Sequence, residues 1–490
     1  MAKVTLQSAR GWDQALAPPL ICRRERGPAM TPPRSGDVSF WYRDIGGIPA
    51  PRPALDGDCK ADVCIIGAGY TGLWAAYYLK LAHPDLDVLI VEQNFAGFGA
   101  SGRNGGWLTG GFAWNHERYL ATSSQAAVRA MVGAMNGTVD EIIRVAQIEG
   151  IDADILRTQE MMVATNPAQL SRVTAEVAHR RAWGEESRVW QIDAGEARAR
   201  VNIPGALGAM IVDNVARIQP AKLVRGLADA VERLGVRIAE STTALEILPG
   251  RVQTNRGSVR SPIILRATEG FSAKLPGARR DWLPLNSAQV ITEPIPAEIW
   301  ARIGWQDHEI LGDFANAYCY CQRTSDGRIA VGARGVPYRF GSQIDDNDRP
   351  DPATIARLIA ILRRHFPDAH DVPVAHAWCG VLGVPRDWCA TVGLDRASGI
   401  GWAGGYVGVG VSTSNLAGRT LADLVLGRDT DLVHLPWVNR KVRPWEPEPL
   451  RWLGVRGMYR LLNAADVHEN RTQAATTSAL ARLGNWLTGR

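Results

Sequence analysis

Two short apolar runs near the start of the chain enclose a glycine-rich turn and a longer apolar segment. Val63 to Ile66 is uniformly apolar, and Leu73 to Leu81 follows it without glycine or proline. A second apolar run, Val88 to Val91, comes after His83-Pro84-Asp85. Short, uniformly apolar runs are typical of buried parallel strands, and the longer segment has the length of a helix. The pattern therefore predicts a strand–helix–strand unit.

The turn inside this unit has the spacing Gly-x-Gly-x-x-Gly, and an acid ends the second strand. The first glycine allows a tight turn, the second lets the backbone approach a pyrophosphate, and the third lets the helix pack on the strand. Amides at the helix start face the phosphates, and the acid can hold a ribose hydroxyl. These features predict a dinucleotide site made by Gly67, Ala68, Gly69, Tyr70, Thr71, Gly72 and Glu92.

Two further segments of the chain are rich in glycine. Residues 97–106 follow the predicted unit directly, and residues 399–410 precede a predicted helix from Ser414 to Leu426. Glycine at this density lets backbone lie against a flat ligand, whereas a flexible loop is the alternative interpretation. The residues of the first segment that we expect to contact a cofactor are Gly99, Ala100, Ser101, Gly102, Arg103, Asn104, Gly105 and Gly106.

With these segments the chain resembles the D-amino-acid-oxidase-like flavoprotein family, which includes glycine oxidase, sarcosine oxidase and γ-glutamylputrescine oxidoreductase. Residues 99–106 are very similar to the loop that lies along the FAD in the γ-glutamylputrescine branch. The resemblance implies FAD rather than a free nicotinamide cofactor, and we expect the FAD to be bound without a covalent link. It also implies a final helix whose start points at the flavin, where its dipole favours the anionic reduced form. Further expected FAD contacts are Thr268, Gly405, Tyr406, Gly408, Val409 and Gly410.

The expected fold is α/β, with a Rossmann-type FAD-binding domain and a smaller antiparallel β-sheet substrate domain. Alternating runs at Leu285 to Glu293, Tyr318 to Arg323 and Arg328 to Gly332 predict the second sheet, and Asp326-Gly327 predicts a hairpin. By resemblance, Ala375 to Cys379 returns to the FAD-binding domain. The expected ranges are an N-terminal extension at 1–37, the FAD-binding domain at 38–160, 213–281 and 375–430, the substrate domain at 161–212 and 282–374, and a C-terminal helical tail at 431–490.

Two local predictions concern breaks in regular structure. Residues 116–150 are expected to form a helix pair that breaks at Asn136-Gly137, and Val259 to Arg266 is expected to form one strand. Residues 1–29 are interpreted as an extension upstream of a natural start at Met30.

Composition narrows the functional classes. A net charge of +5 over 490 residues, without a basic block, gives no support for nucleic-acid binding. The chain has no run of eighteen apolar residues, so its sequence predicts no transmembrane helix. Seven cysteines without metal spacing fit a reducing compartment, so we expect a cytoplasmic protein without a metal site.

Arg323 is the first candidate for anchoring a substrate. It matches the position where glycine oxidase-like members place an arginine for the substrate carboxylate, and a guanidinium binds a carboxylate at two points. A structural arginine at a strand edge is the other interpretation. Arg334 is a second candidate, and Tyr318 and Tyr320 are expected to line the pocket, although alternate aromatic residues on a strand also serve packing.

Three positions of the chain correspond to functional residues of the sarcosine oxidase pattern. The oxygen-activating lysine of that pattern is Ala330 here, and its carboxylate-binding lysine is Ser412, so oxygen activation by that route and a sarcosine-type substrate are both in doubt. Cys379 falls where sarcosine oxidases bear the cysteine that binds FAD covalently. A buried cysteine that only packs is the alternative.

These features predict an FAD-dependent amine oxidase or dehydrogenase that oxidises a C–N bond of an amino acid, an N-alkyl amino acid or an acylated polyamine. Its partners are a small-molecule amine and oxygen or another electron acceptor. Two alternatives remain: an FAD-dependent tailoring oxidase or monooxygenase acting on a larger natural product, and a flavin-binding subunit without catalytic activity.

Overall fold

The computed structural model describes residues 33–111, 116–333, 338–344 and 349–488. Most of the predicted N-terminal extension therefore lies outside the described residues, as does the expected start at Met30. Among the described residues, no helix has both the length and the apolar character needed to cross a membrane.

The elements follow one another along the chain as helices and strands in mixed order. The helices are α1 (Phe40–Asp44), α2 (Tyr70–Ala82), α3 (His116–Leu120), α4 (Gln125–Ile148), α5 (Pro167–Ala182), α6 (Ala194–Arg200), α7 (Pro220–Arg233), α8 (Ala297–Ile303), α9 (Pro352–His365), α10 (Gly410–Leu426), α11 (Leu450–Thr472) and α12 (Ala479–Thr488). The strands are β1 (Arg34–Ser35), β2 (Cys59–Lys60), β3 (Val63–Ile66), β4 (Val88–Val91), β5 (Trp107–Leu108), β6 (Leu156–Ala164), β7 (Val189–Asp193), β8 (Gly208–Arg217), β9 (Arg237–Ala239), β10 (Ala244–Leu248), β11 (Arg251–Thr254), β12 (Gly257–Arg260), β13 (Ile263–Arg266), β14 (Trp282–Thr292), β15 (Ile310–Asp313), β16 (Cys319–Arg323), β17 (Ile329–Ala333), β18 (Val374–Pro385), β19 (Thr391–Asp395) and β20 (Ile400–Gly404).

A six-stranded sheet carries the predicted strand–helix–strand unit. Its order is β19-β20-β13-β3-β4-β9, and all neighbours are parallel except β19 and β20. The strands β3 and β4 are buried along their whole length, as their uniformly apolar sequences require. The chain passes from β3 through α2 to β4 on one side, while β13 pairs with β3 on the other. The sheet therefore has a topological switch point between β3 and β13, where α/β proteins bind ligands.

A ten-stranded mixed sheet forms the second layer of the fold. Its main path is β1-β18-β14-β17-β16-β15-β6-β8-β5, and β7 pairs with β8. The predicted hairpin is confirmed, since β16 and β17 are antiparallel and register Arg323 against Ile329. Ala375 to Cys379, expected to return to the FAD-binding part, lie in β18 and pair along β14 in this sheet. The return to the six-stranded sheet begins at β19, and the exact domain boundaries stay a prediction.

Two local predictions are wrong. The expected strand from Val259 to Arg266 is split into β12 and β13, which belong to different sheets. Between them Ser261 turns its hydroxyl onto the carbonyl oxygen of Ile263, and Pro262 has no N–H group to donate to a ladder. The helix α4 continues through the expected break at Gly137, where an exposed glycine costs only about 1 kcal/mol.

Candidate active site

The carboxyl ends of β3 and β13 meet at the switch point of the six-stranded sheet. Gly67 follows β3 with a φ of +104°, a conformation that favours glycine, and its N–H donates to the carbonyl oxygen of Val91. A Cβ at Gly67 would lie 2.6 Å from the carbonyl oxygen of Ala267, beyond β13. At Gly72, a Cβ would overlap the carbonyl oxygen of Gly67. Both glycines are thus required by close approach of backbone to backbone.

The start of α2 and the end of β4 supply the polar groups of this edge. Gly69 caps α2 without a side-chain hydrogen bond, and the N–H of Tyr70 donates to Ser101 Oγ at 2.8 Å. Glu92 accepts N–H groups of Ala68 and Asn94 at 2.8 and 2.9 Å. Burial raises the pKa of the Glu92 carboxyl, while these N–H groups act in the opposite direction. A carboxylate can accept about four hydrogen bonds, so this one can also accept a hydroxyl.

The second glycine segment folds over the start of α2. Ala100–Gly102 is a single 3₁₀ turn that begins after Gly99 and presents Ser101 to α2. Asn104 closes the segment, because its side chain donates to the carbonyl oxygen of Ser101 at 2.8 Å and accepts the N–H of Gly106 at 2.9 Å. The segment is therefore an ordered loop rather than a flexible one.

Arg103 ties this loop to the ten-stranded sheet. Its guanidinium donates to the carbonyl oxygens of Phe98 and Cys379 at 2.7 and 3.1 Å and lies 4.4 Å from the centre of the Phe98 ring. Its own carbonyl oxygen accepts Gln289 Nε2 at 2.7 Å and Trp378 Nε1 at 2.9 Å. Since Arg103 is fully buried, these contacts fix the loop against β14 and β18.

The short helix α1 supports the loop from behind. Ser39 Oγ donates to the carbonyl oxygen of Gly102 at 2.7 Å, and Trp41 Nε1 donates to that of Asn104 at 2.8 Å. The Tyr42 ring occupies the space in which a Cβ of Gly102 would lie, 2.6 Å from the ring atom Cε2. Trp41 and Tyr42 of α1 are thus part of the wall of the site.

The third glycine segment is joined to the first through Tyr406. The Tyr406 hydroxyl is 2.9 Å from Thr71 Oγ1, and its N–H donates to Glu269 Oε1 at 3.0 Å. Gly405 and Gly408 have φ values of +76° and +104°, and no atom lies within 4 Å of a Cβ built on Gly408. Val409 precedes α10, which begins at Gly410 without a side-chain cap. Two uncapped helix starts, those of α2 and α10, are therefore brought to the same side of the sheet.

Thr268 and Glu269 occupy the turn after β13. Thr268 Oγ1 lies 2.7 Å from Ser272 Oγ, which closes a 3₁₀ turn from Glu269 to Lys274. Glu269 adopts a positive φ of 43°, which is uncommon for a residue with a side chain. Burial raises the pKa of its carboxyl to about 7. The sequence prediction named Thr268 and missed Glu269.

One face of the ten-stranded sheet lies against the second glycine segment. The ring of Tyr320 leaves only 2.9 Å to a Cβ built on Gly105, and Gln322 Nε2 donates to the carbonyl oxygen of Gly106 at 3.0 Å. The Tyr320 hydroxyl is 3.1 Å from Ser287 Oγ, and burial raises the pKa of this hydroxyl, so it stays neutral near pH 7. Tyr318 is half-buried directly before β16, and strand alternation places it on the same face.

Arg323 lies on the opposite face of β16. Its Nη1 donates to the carbonyl oxygen of Trp305 at 2.6 Å, and its guanidinium carbon is 4.1 Å from the centre of the Trp300 ring. These partners belong to the hydrophobic core beneath the sheet, so the structure does not bring Arg323 to the glycine segments. Arg334 lies outside the described residues.

Cys379 also points away from the loop. It is fully buried in the hydrophobic cluster that contains Ala288 and Ala377. Its chain neighbours face the loop instead, because Trp378 Nε1 donates to the carbonyl oxygen of Arg103 and a Cβ built on Gly380 would lie 3.5 Å from Arg103 Cβ. The arrangement matches the alternative of a packed cysteine rather than a covalent cofactor link.

The residues at this edge fit FAD. Two uncapped helix starts offer N–H groups and positive dipole ends to phosphates. The Glu92 carboxylate lies at the strand end that suits a ribose hydroxyl, and the open space at Gly408 leaves room for a ligand beside the start of α10. The polar groups that the sequence prediction missed here are Thr109, Glu160, Glu269 and Gln322; of these, Glu269 is the one that stands directly beside a predicted FAD contact, Thr268.

Comparisons with known proteins agree with this site. Residues 62–424 match the model of the family described as DAO, FAD dependent oxidoreductase. The γ-glutamylputrescine oxidoreductase of Escherichia coli is 29% identical over 399 residues, which are 80% of this chain and 89% of that protein. The sarcosine oxidase subunit beta of Rhodobacter capsulatus is 23% identical over 75% of this chain and 85% of that subunit.

Solved structures show the same fold. Glycine oxidase from Geobacillus kaustophilus superposes with a TM-score of 0.63 at 21% identity, covering 78% of this chain and 99% of that one. L-proline dehydrogenase from P. horikoshii gives a TM-score of 0.64 at 18% identity, covering 78% and 98%. Since the family model matches most of the chain, the protein belongs to the DAO family of FAD-dependent oxidoreductases.

Proposed function

We propose that this protein is an FAD-dependent enzyme that oxidises a C–N bond of a primary or secondary amine. With FAD bound, the carbon next to the amine nitrogen can lose a hydride to the flavin, and the imine that results is hydrolysed to a carbonyl compound and an amine or ammonia. The observation that carries the proposal is the convergence of all three glycine segments on one edge of the six-stranded sheet, under the polar face of the ten-stranded sheet. The relatives that are named for amine substrates support the choice of bond.

The protein holds the cofactor and the substrate in position and shields them from water. Arg103 and α1 hold the second glycine segment in place, and Tyr320 forms part of the wall above it. The start of α10 places its dipole at the third segment, where it would stabilise negative charge on a reduced cofactor. None of these roles requires a nucleophile or a metal ion, in keeping with a reaction whose difficult step belongs to the cofactor.

Anaerobic reduction of the bound flavin tests the proposal. Primary, secondary and acylated amines are mixed with the oxidised holoenzyme, and the loss of flavin absorbance is followed. Bleaching by at least one amine is expected. Bleaching only by a reduced nicotinamide would favour a monooxygenase, and no bleaching by any of these compounds would favour a silent flavin-binding subunit.

The proposal also includes the cellular location of the protein and the acceptor of its electrons. The six cysteines that the structure describes form no disulfide, which supports a reducing cytoplasm as the location. Molecular oxygen or another acceptor must reoxidise the flavin. Because Ala330 replaces the oxygen-activating lysine of the sarcosine oxidase pattern, the rate of reoxidation by oxygen should be measured alongside reduction.

A further inference from the structure

Glu160 lies on the face of the ten-stranded sheet that looks toward the glycine segments. The register places Tyr320 beside Gly312, and Gly312 beside Met162, across β16, β15 and β6. Residues directly across a ladder share a face, and residues two apart on a strand share it too. Glu160 is two residues before Met162, so it is on the face of Tyr320.

A short hydrogen-bonded path joins Glu160 to α10. Glu160 Oε2 accepts the hydroxyl of Thr109 at 3.0 Å, and the carbonyl oxygen of Thr109 accepts the hydroxyl of Ser412. Thr109 comes directly after β5, which follows the second glycine segment, and Ser412 is in the first turn of α10. The carboxylate is therefore placed between the second and third glycine segments, where a substrate must approach the cofactor.

Negative charge exceeds positive charge around Glu160. The nearby Arg180 binds Glu185 at two points, with Nε–Oε2 and Nη2–Oε1 distances of 2.7 and 2.8 Å, and Asn136 Nδ2 adds a contact of 3.2 Å to Glu185. This pairing lowers the pKa of Glu185 and neutralises the charge of Arg180. The pKa of Glu160 is raised by burial, which Arg180 and the Thr109 hydroxyl only partly offset.

A nearby cation would stabilise the ionised form of a partly buried carboxyl that has one hydroxyl donor. The nitrogen that reacts at a flavin must be neutral, so the cation that Glu160 holds has to be another group of the same molecule. An amino acid would instead need a cation for its carboxylate, and Arg323 is turned to the opposite face.

We propose that Glu160 binds a second, unreacting ammonium group of the substrate, which makes α,ω-diamines and polyamines the preferred class of amine. The inference rests on the proposed amine oxidation, and it adds the substrate class and the residue that selects it. The Thr109 hydroxyl orients the carboxylate by donating to Oε2, which leaves Oε1 for the ammonium.

The test compares butane-1,4-diamine with butylamine, which have the same carbon chain and differ by one ammonium group. In the wild-type holoenzyme kcat/KM is expected to favour the diamine. In Glu160→Gln this preference should fall about 10- to 100-fold, as expected for loss of one charge-assisted hydrogen bond, while butylamine changes little. Glu186→Gln is the matched control, because Glu186 is exposed and its substitution removes the same charge from the neighbouring surface.

Binding without turnover provides a second measurement. The hexamethyl derivative of butane-1,4-diamine has no free electron pair on nitrogen and is not oxidised, yet it carries both charges. Its binding should perturb the flavin absorbance of the wild type and of Glu186→Gln, and the dissociation constant should rise about tenfold or more in Glu160→Gln.

The outcomes separate the inference from the proposed function. Failure of every amine to bleach the wild-type flavin overturns the function itself. Bleaching with equal kcat/KM for butylamine and butane-1,4-diamine in the wild type overturns the inference alone, whatever the variants do. An amide oxygen can still accept the Thr109 hydroxyl, so Glu160→Gln should retain the flavin content and melting temperature of the wild type. A retained diamine preference in that variant also overturns the inference.

Discussion

Gly67 is the position at which one added methyl group tests the cofactor site most directly. Gly67→Ala places a Cβ 2.6 Å from the carbonyl oxygen of Ala267, at least 0.8 Å inside the ordinary contact distance of 3.4 Å. Two strand ends of the switch point must then move apart, which costs about 1–3 kcal/mol. The positive φ of +104° adds about 1–2 kcal/mol of backbone strain.

Gly57→Ala separates the steric cost of the added Cβ from the backbone strain. Gly57 also has a positive φ, +75°, but no atom lies within 4 Å of its added Cβ, so this variant carries mainly the backbone strain. The difference between the variants is the steric term at the switch point. Expressed in binding, about 1–3 kcal/mol corresponds to FAD affinity that is about 5- to 150-fold weaker in Gly67→Ala than in Gly57→Ala.

The assay is titration of the deflavinated enzyme with FAD, followed by flavin fluorescence, together with thermal unfolding with and without FAD. Gly57→Ala should bind FAD like the wild type and lose about 1–2 kcal/mol of stability from the backbone strain. Equal FAD dissociation constants for the two variants, within a factor of two, would show that the strand ends relax around the methyl group. In that case the argument from close approach at the switch point is refuted.

Three further predictions concern residues away from the glycine segments. Arg323→Leu should keep kcat/KM within about threefold of the wild-type value and lower the melting temperature, because the guanidinium donates to the Trp305 carbonyl oxygen and packs on the Trp300 ring. A tenfold loss of kcat/KM in the folded variant contradicts this. Acid precipitation of the holoenzyme should leave all flavin in the supernatant, since Cys379 packs in the core, and a yellow pellet would contradict it. His365→Gln should destabilise the protein by about 3–5 kcal/mol at pH 6, because it leaves the buried Asp313 with only the exposed Arg364, 3.8 Å away, as a charged partner. The pKa of His365 is raised to about 10. The difference in melting temperature between the wild type and His365→Gln should therefore be largest below pH 6.5 and should shrink as the pH rises toward 10. A difference that does not change with pH contradicts this.

The parts of the fold that were predicted correctly depend on local sequence. The order strand, glycine turn, helix, strand needs only the apolar runs and the glycine spacing between Val63 and Val91, and the structure has each element within a few residues of its predicted bounds. The hairpin at Asp326-Gly327 is local for the same reason. The FAD assignment followed from three glycine segments, because close backbone approach leaves a direct trace in sequence.

Predictions that depend on distant pairing were the ones that failed. The segment from Ala375 to Cys379 was recognised as extended, but its sheet is decided by β14, almost a hundred residues earlier in the chain. The stretch from Val259 to Arg266 was predicted as one strand. Its division depends on β2 pairing with the first half and on β3 pairing with the second.

Arg323 and Glu160 lie on opposite faces of the ten-stranded sheet, because side chains along a strand alternate between the two faces. A shift of one residue along a strand moves a side chain to the other face, so Gln322 reaches Gly106 while Arg323 reaches Trp305. Neither face of β16 could be assigned from its own sequence, because tyrosine and cysteine alternate there and both can be buried. In β6 the four residues from Arg157 to Glu160 are all polar, so they show no alternation of polar and apolar residues. The register across β15 places Glu160 with Tyr320, so of these two charged residues it is the carboxylate, and not the guanidinium of Arg323, that shares the face turned toward the glycine segments.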